Sequence, residues 1–108
     1  MFNSLFGQNK VLIPLRKKYS SIITGLSNNG KAVIFKEKKN LISWGMANVF
    51  AKTIYTLTDD GKDYFTIKYT SDSALFGSFA KEWKFSKELS HEEILLKIGI
   101  DTMELFQK

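Results

Sequence analysis

Two consecutive segments in the middle of the chain restrict its fold more than any other feature. Residues 62–70 alternate apolar and polar side chains, which is the pattern of a β-strand with one buried face. Residues 51–58 precede them, and the intervening Asp59-Asp60-Gly61 contains Asp-Gly, a strong signal for a tight turn. The two segments are therefore predicted to form an antiparallel hairpin. The apolar residues of its second strand are Phe65, Ile67 and Tyr69.

Shorter apolar segments on both sides of the hairpin predict further strands. Residues 31–36 and 41–46 form a pair joined by the charged turn 37–40, and residues 78–85 form a fifth strand. Residues 71–77 are interpreted as a linker whose apolar side chains fold inward, so Leu75 is predicted to be buried. Phe79 lies on the fifth strand and is also predicted to be buried. The core side of the fifth strand carries Phe79, Trp83 and Phe85.

A helix is predicted before the strands. Pro14 fits its first turn, and Asn28-Asn29-Gly30 is a signal for its end. An edge strand is the alternative for residues 10–16, because proline is also tolerated there. The apolar stripe of the helix consists of Leu15, Tyr19, Ile22, Ile23 and Leu26.

A second helix is predicted after the strands. Ser90 and Glu93 have the spacing of a capping box, in which each residue satisfies a backbone N–H of the other. Either Gly99 bends this helix, or Ile100 and Met103 form a second apolar face that contacts another surface. The main apolar face consists of Ile94, Leu95, Ile98, Leu105 and Phe106.

This order predicts an α+β fold, with an antiparallel sheet of four or five strands flanked by an N-terminal and a C-terminal helix. The alternative is a small curled β-barrel capped by the C-terminal helix. A chain of 108 residues has the length of one domain. Residues 10–108 are therefore assigned to a single α+β domain, and residues 1–9 are predicted to form a flexible N-terminal arm.

Sequence patterns for the commoner catalytic and cofactor chemistries are missing. The chain has no cysteine, and its seven glycines match neither a dinucleotide-binding nor a P-loop spacing. The single histidine, His91, is interpreted as a solvent-facing residue beside the helix cap. Asp59, Asp60 and Asp63 do not have EF-hand spacing and are interpreted as turn residues. No catalytic residue, cofactor or metal site is predicted.

The basic residues are concentrated in the first half of the chain. Residues 1–54 have a net charge of +8, whereas residues 55–108 have −3. Two halves of opposite charge can neutralise each other in the folded domain, but a basic face with an exposed tyrosine can also bind nucleic acid. Against nucleic acid, fifteen of the sixteen basic residues are lysine, which lacks the planar fork of arginine. The candidate anion or nucleic-acid surface consists of Arg16, Lys17, Lys18, Lys36, Lys38, Lys39, Tyr64 and Lys68.

Surplus apolar residues favour a different function, a small non-enzymatic binding protein that acts through protein–protein contact and self-associates as a homodimer. Some of these residues lie near the chain ends, and Phe76 lies in an aromatic-rich stretch. The candidate protein interface consists of Phe2, Leu5, Phe6, Phe76, Ile100 and Met103. Nucleic-acid binding is the first alternative.

Association with a membrane surface through the N-terminal arm is the second alternative, with Phe2, Leu5 and Phe6 as a wedge and nearby basic residues as a collar. No apolar run approaches the roughly 20 residues of a transmembrane helix. The first nine residues lack the pattern of a signal peptide, so we expect a cytoplasmic protein.

Overall fold

In the part of the chain that the structure describes, five strands form one antiparallel sheet, and every strand pairs with its neighbour in the sequence. The computed structural model describes residues 14–27, 33–47 and 49–106, with the backbone alone at Phe106. The strands are β1 (Val33–Glu37), β2 (Leu41–Ala47), β3 (Ala51–Thr58), β4 (Tyr64–Ser73) and β5 (Gly77–Ser86). The helices are α1 (Leu15–Lys18), α2 (Ser20–Gly25) and α3 (His91–Phe106).

The predicted central hairpin is confirmed as β3 and β4. Their register sets Thr58 opposite Thr66, and the turn between them places Gly61 at a φ of 85°. This left-handed conformation favours glycine because a Cβ atom would be strained there. The alternation along β4 also agrees with the prediction, since every second residue from Phe65 to Ser71 is buried.

The prediction of a linker at residues 71–77 is wrong. β4 continues to Ser73, which pairs directly with Gly77 at the start of β5. Residues 74–76 form the connecting turn, and Leu75 is 84% exposed rather than buried. The apolar run resembles core sequence, but the pairing register of β4 and β5 places it in a turn that projects into solvent. Phe79 lies farther along β5 and packs partly buried against the core.

The predicted N-terminal helix is present in two short pieces. Tyr19 separates α1 from α2 with a φ of −112° and a ψ of 26°, outside helical values. The apolar stripe remains buried on both sides of this break. Its residues Leu15, Tyr19, Ile22 and Ile23 are all buried. Residues 15 and 16 are helical rather than an edge strand, while residues 10–13 and the signal at 28–30 lie outside the described residues.

The predicted C-terminal helix and its capping box are confirmed. The Ser90 N–H donates to Glu93 Oε1 at 3.0 Å, and the Glu93 N–H donates to Ser90 Oγ at 3.1 Å. α3 is continuous through Gly99. Farther along α3, Asp101 Oδ2 accepts a 2.7 Å hydrogen bond from Trp83 Nε1 on β5, which fixes the helix against the sheet.

The helices cover one face of the sheet, where the apolar residues of α2 and α3 meet those of β2 to β5. The opposite face, called here the open face, carries mainly lysine, serine and threonine. β1 and β5 are the two edges of the described sheet, so the sheet is open rather than a closed barrel. The α+β prediction with a five-stranded antiparallel sheet is confirmed.

Candidate functional site

A buried carboxylate holds together one end of the molecule, called here the base. Asp59 directly follows β3, and its side chain is almost completely buried. Its oxygens accept hydrogen bonds from the Tyr19 hydroxyl at 2.8 Å and from the Gly61 N–H at 2.8 Å. Lys18 Nζ lies 3.1 Å away and Lys87 Nζ 2.7 Å away. Asp59 therefore joins the first helices, the β3–β4 turn and the end of β5.

Two opposing effects set the pKa of Asp59. Burial raises the pKa, because an ionised carboxylate is poorly solvated away from water. The hydrogen bonds from Lys87, the Gly61 backbone, Tyr19 and Lys18 together outweigh burial and hold the pKa below its usual range. Burial and the bond to Asp59 raise the pKa of Tyr19. Both groups therefore keep their ordinary charge states at neutral pH.

A serine and the single histidine meet beside this cluster. His91 Nδ1 lies 2.5 Å from Ser21 Oγ, and its ring stacks on Tyr19 with centroids 5.8 Å apart. The interpretation of His91 as a solvent-facing residue beside the cap holds only in part, because the docking of α2 against α3 leaves it half-buried. Among the described residues, no carboxylate is hydrogen-bonded to the imidazole to complete a catalytic triad. The contact joins α2 to α3.

The structure divides the predicted anion surface between two sides of the molecule. On the helix side, Arg16 forms an ion pair with Glu37 at 2.5 Å, and Lys18 is bound to Asp59. Lys17 is exposed on α1, and Lys38 and Lys39 are exposed in the turn between β1 and β2. Arg16 and Lys18 therefore already have carboxylate partners within the domain.

The open face does bring three of the predicted residues to one side of the sheet. Lys36 and Lys68 lie in the same cross-strand row, separated by Ser43 and Thr56. Tyr64 is exposed on that face, with Lys84 Nζ 5.1 Å from its ring centroid.

Acidic residues interrupt the basic charge of this face. Glu82 lies directly opposite Lys68, and Asp72 lies directly opposite Lys52. Opposite charges at directly paired strand positions reduce the field that each lysine can present to an anion.

Four large apolar side chains are exposed together at the end of the sheet opposite the base. We call Val49, Phe50, Leu75 and Phe76 the apolar tip; they are 68% to 93% exposed. Val49 and Phe50 precede β3, and Leu75 and Phe76 follow β4, so the pairing of these strands brings the two turns together. The Ala74 N–H donates to the Phe50 carbonyl oxygen at 3.0 Å and joins them.

One member of the apolar tip, Phe76, was a predicted interface residue, and the other three were not. The signal for Val49 and Phe50 was weak, since two apolar residues beside a predicted strand are typical of core sequence. Their exposure follows from the register of β3 and β4, which sets Ala51 opposite Ser73 and leaves both turns beyond the last paired residues.

The outer face of α3 carries a second exposed apolar surface, the α3 stripe. Leu96, Ile100 and Met103 are 48% to 66% exposed, and their spacing of four and then three residues sets them along one side of the helix. Ile100 and Met103 were predicted interface residues, and Leu96 was missed. The predicted residues Phe2, Leu5 and Phe6 lie outside the described residues.

The described ranges contain no group of three or more His, Asp or Glu side chains placed to hold a metal ion. The helices described in these ranges are too short or too polar to cross a bilayer. Comparison of the chain with protein-family models, with curated proteins and with solved structures gave no match.

Proposed function

We propose that this protein is a non-enzymatic binding protein that acts through protein–protein contact and self-associates through the α3 stripe. The observation that carries the proposal is the exposure of Leu96, Ile100 and Met103 on one side of a helix whose other side is already packed on the sheet. Three large apolar side chains at this spacing form the kind of strip that packs against a second helix.

The sequence of α3 is complementary to itself in an antiparallel arrangement. A two-fold axis near Ile100 sets Leu96 of one copy beside Met103 of the other. The same axis sets Lys97 of one copy beside Glu104 of the other, so opposite charges flank the apolar contact twice. Two-fold dimers use the same surface on both subunits, which is the symmetry this strip provides.

Small and charged residues of α3 support the same contact. Gly99 lies between Leu96 and Ile100 and has open space where a Cβ atom would stand, so a second helix can approach closely. Lys97 is paired with Asp101 at 3.3 Å and is well exposed, so it can reorient towards Glu104 of a second copy.

Analytical ultracentrifugation of the full chain tests the proposal. The wild-type chain is expected to show a reversible monomer–dimer equilibrium. The double substitution L96K and I100K is expected to raise the dimer Kd by about tenfold or more, because it places lysines in an apolar contact.

Leu75→Lys is the matched control, since it makes the same change at an exposed leucine outside α3. Circular dichroism checks that each variant folds. A wild-type chain that stays monomeric at all concentrations, or a dimer unaffected by the α3 substitutions, would refute self-association through the α3 stripe.

A second candidate function is nucleic-acid binding by the open face, supported by the shared row of Lys36 and Lys68 and by the exposed Tyr64. It requires binding to single-stranded RNA or DNA that weakens steeply with salt. Replacing Lys36 and Lys68 by glutamine is expected to reduce that binding, whereas Lys97→Gln on α3 is expected to leave it unchanged.

A further inference from the structure

The apolar tip projects from the sheet, and Val49 and Phe50 line only a shallow, open depression beside Ala74. The tip consists of two short turns that extend beyond the last paired residues of β3 and β4. Specific protein–protein interfaces bury about 800 Å² on each partner. Four side chains on two turns are small for such an interface, whereas insertion into a fluid apolar phase requires no complementary surface.

The backbone of the turn after β4 has its own hydrogen-bond partners. Ser73 Oγ accepts the N–H groups of Leu75 and Phe76, both at 3.1 Å, and the Ala74 N–H donates to Phe50. An N–H group without a partner is strongly disfavoured in lipid, because no water is present to accept its hydrogen bond. This turn can therefore leave water with its backbone donors already satisfied.

Uncharged residues at the tip are followed along the strands by charged residues, which is the arrangement expected at a bilayer surface. The turn segments 49–51 and 73–77 contain no charged residue. The nearest charges along β3 and β4 are Lys52 and Asp72, which lie directly opposite each other. A depth of insertion that buries the four apolar side chains keeps both charges at the level of the polar headgroups, where their net charge is zero.

From these observations we infer that the apolar tip is a membrane-docking site, which inserts Val49, Phe50, Leu75 and Phe76 into the outer part of a lipid bilayer. Because Lys52 and Asp72 neutralise each other beside the tip, we expect the insertion itself to require no anionic lipid. The site is separate from the α3 stripe and from the N-terminal arm, so it is tested independently of self-association.

Tryptophan fluorescence with vesicles of brominated and unbrominated phosphatidylcholine tests the site directly. Trp44 and Trp83 are buried, so they provide a constant background in the wild-type chain. Phe76→Trp places a reporter in the tip, and its emission is expected to shift to the blue and to be quenched by the brominated lipid.

Tyr64→Trp is the matched control, because Tyr64 is an exposed aromatic residue at the other end of β4. Its emission is expected to stay unchanged by either lipid. Vesicle flotation then compares the wild-type chain with the L75S and F76S double variant. The double variant is expected to lose about tenfold or more in partitioning, since two large apolar side chains no longer enter the lipid.

Other outcomes would overturn the proposal. Binding that requires phosphatidylserine, disappears with salt and leaves the Phe76→Trp emission unchanged identifies attraction by surface lysines instead. Loss of the dimer in L75S and F76S, measured without lipid, identifies a second copy as the occupant of the tip. No binding to vesicles of either composition, with the variants folded, also refutes membrane docking.

Discussion

The β3–β4 hairpin has two ends that place opposite kinds of side chain in unusual surroundings. At the base, the charged Asp59 is buried, and its partners come from α1, the following turn and the end of β5. At the apolar tip, large hydrophobic side chains are exposed on two adjacent turns. The base and the apolar tip are about 30 Å apart, which is the length of the ten-residue β4.

The two ends are expected to contribute differently to the stability of the fold. A buried charge is tolerated only when many groups hold it, so the base depends on every segment that it joins. Exposed apolar side chains add little to the folded monomer, since water reaches them before and after folding. We therefore expect substitutions at the base to change the free energy of unfolding strongly, and substitutions at the tip to change it little.

The largest effect is expected for Asp59→Ala. It leaves the buried Tyr19 hydroxyl and the Gly61 N–H without their acceptor and separates two lysines from their counter-charge. The free energy of unfolding in urea is expected to fall by about 2 to 4 kcal/mol. Asp60→Ala is the control, because Asp60 is the adjacent exposed aspartate, and it is expected to stay within about 1 kcal/mol.

The stability of the base should also depend on pH, in a direction that follows from the pKa of Asp59. Burial raises this pKa, but the bonds from Lys87, Gly61, Tyr19 and Lys18 lower it by more than burial raises it. The pKa in the folded protein therefore lies below the unfolded value of about 3.9. The contribution of Asp59 is complete above the unfolded pKa and is lost as the pH falls through the folded pKa.

Urea unfolding of wild type and Asp59→Asn between about pH 6 and pH 2 measures this contribution. The wild-type stability is expected to decline more steeply at acid pH than that of the variant. Asp101, whose pKa is lowered by the bond from Trp83, supplies part of the decline in both proteins. Identical pH profiles would show that the ionised Asp59 adds no stability.

A smaller effect is expected at the start of α3, which also lies at the base. Ser90→Ala removes the acceptor of the Glu93 N–H. The free energy of unfolding is expected to fall by about 1 kcal/mol, the usual value for a lost helix cap. Ser78→Ala is the control, since its exposed hydroxyl contacts only the carboxylate of Asp72 among the described residues. If Ser90→Ala left the free energy of unfolding unchanged, the result would argue against a stabilising cap.

The smallest effect is expected at the apolar tip. Leu75→Ser replaces an exposed side chain and leaves the hydrogen bonds of Ser73 in place. The midpoint of thermal unfolding is expected to change little, corresponding to less than about 0.5 kcal/mol. A loss well above 1 kcal/mol would mean that the tip stabilises the monomer, and the contrast between the two ends would then fail.

Local patterns in the sequence predicted much of this fold. The alternation of Phe65, Ile67 and Tyr69, the Asp-Gly turn and the Ser90–Glu93 box depend on residues that are close in the chain. The physical cause of each pattern therefore lies within a short stretch of sequence. The break at Tyr19 was not predicted, because it divides a stripe whose apolar residues remain buried on both sides.

The surfaces depended on contacts between distant residues and were largely missed. Asp59 has the sequence signature of a turn residue, and its burial requires Tyr19, which lies 40 positions earlier. The apolar tip requires residues 49 and 50 to meet residues 75 and 76, which depends on the strand register. Ile100 and Met103 were found because α3 carries more apolar positions than one face can bury.

The nearest-neighbour order of the sheet has a consequence for the rate of folding. Each strand pairs with the one before it, so a hairpin can form without first closing a long loop of chain, and such topologies fold fast. The contact of Ser21 with His91 instead joins residues 70 positions apart. We therefore expect the antiparallel sheet to assemble early and the docking of the helices to be the late, slower step.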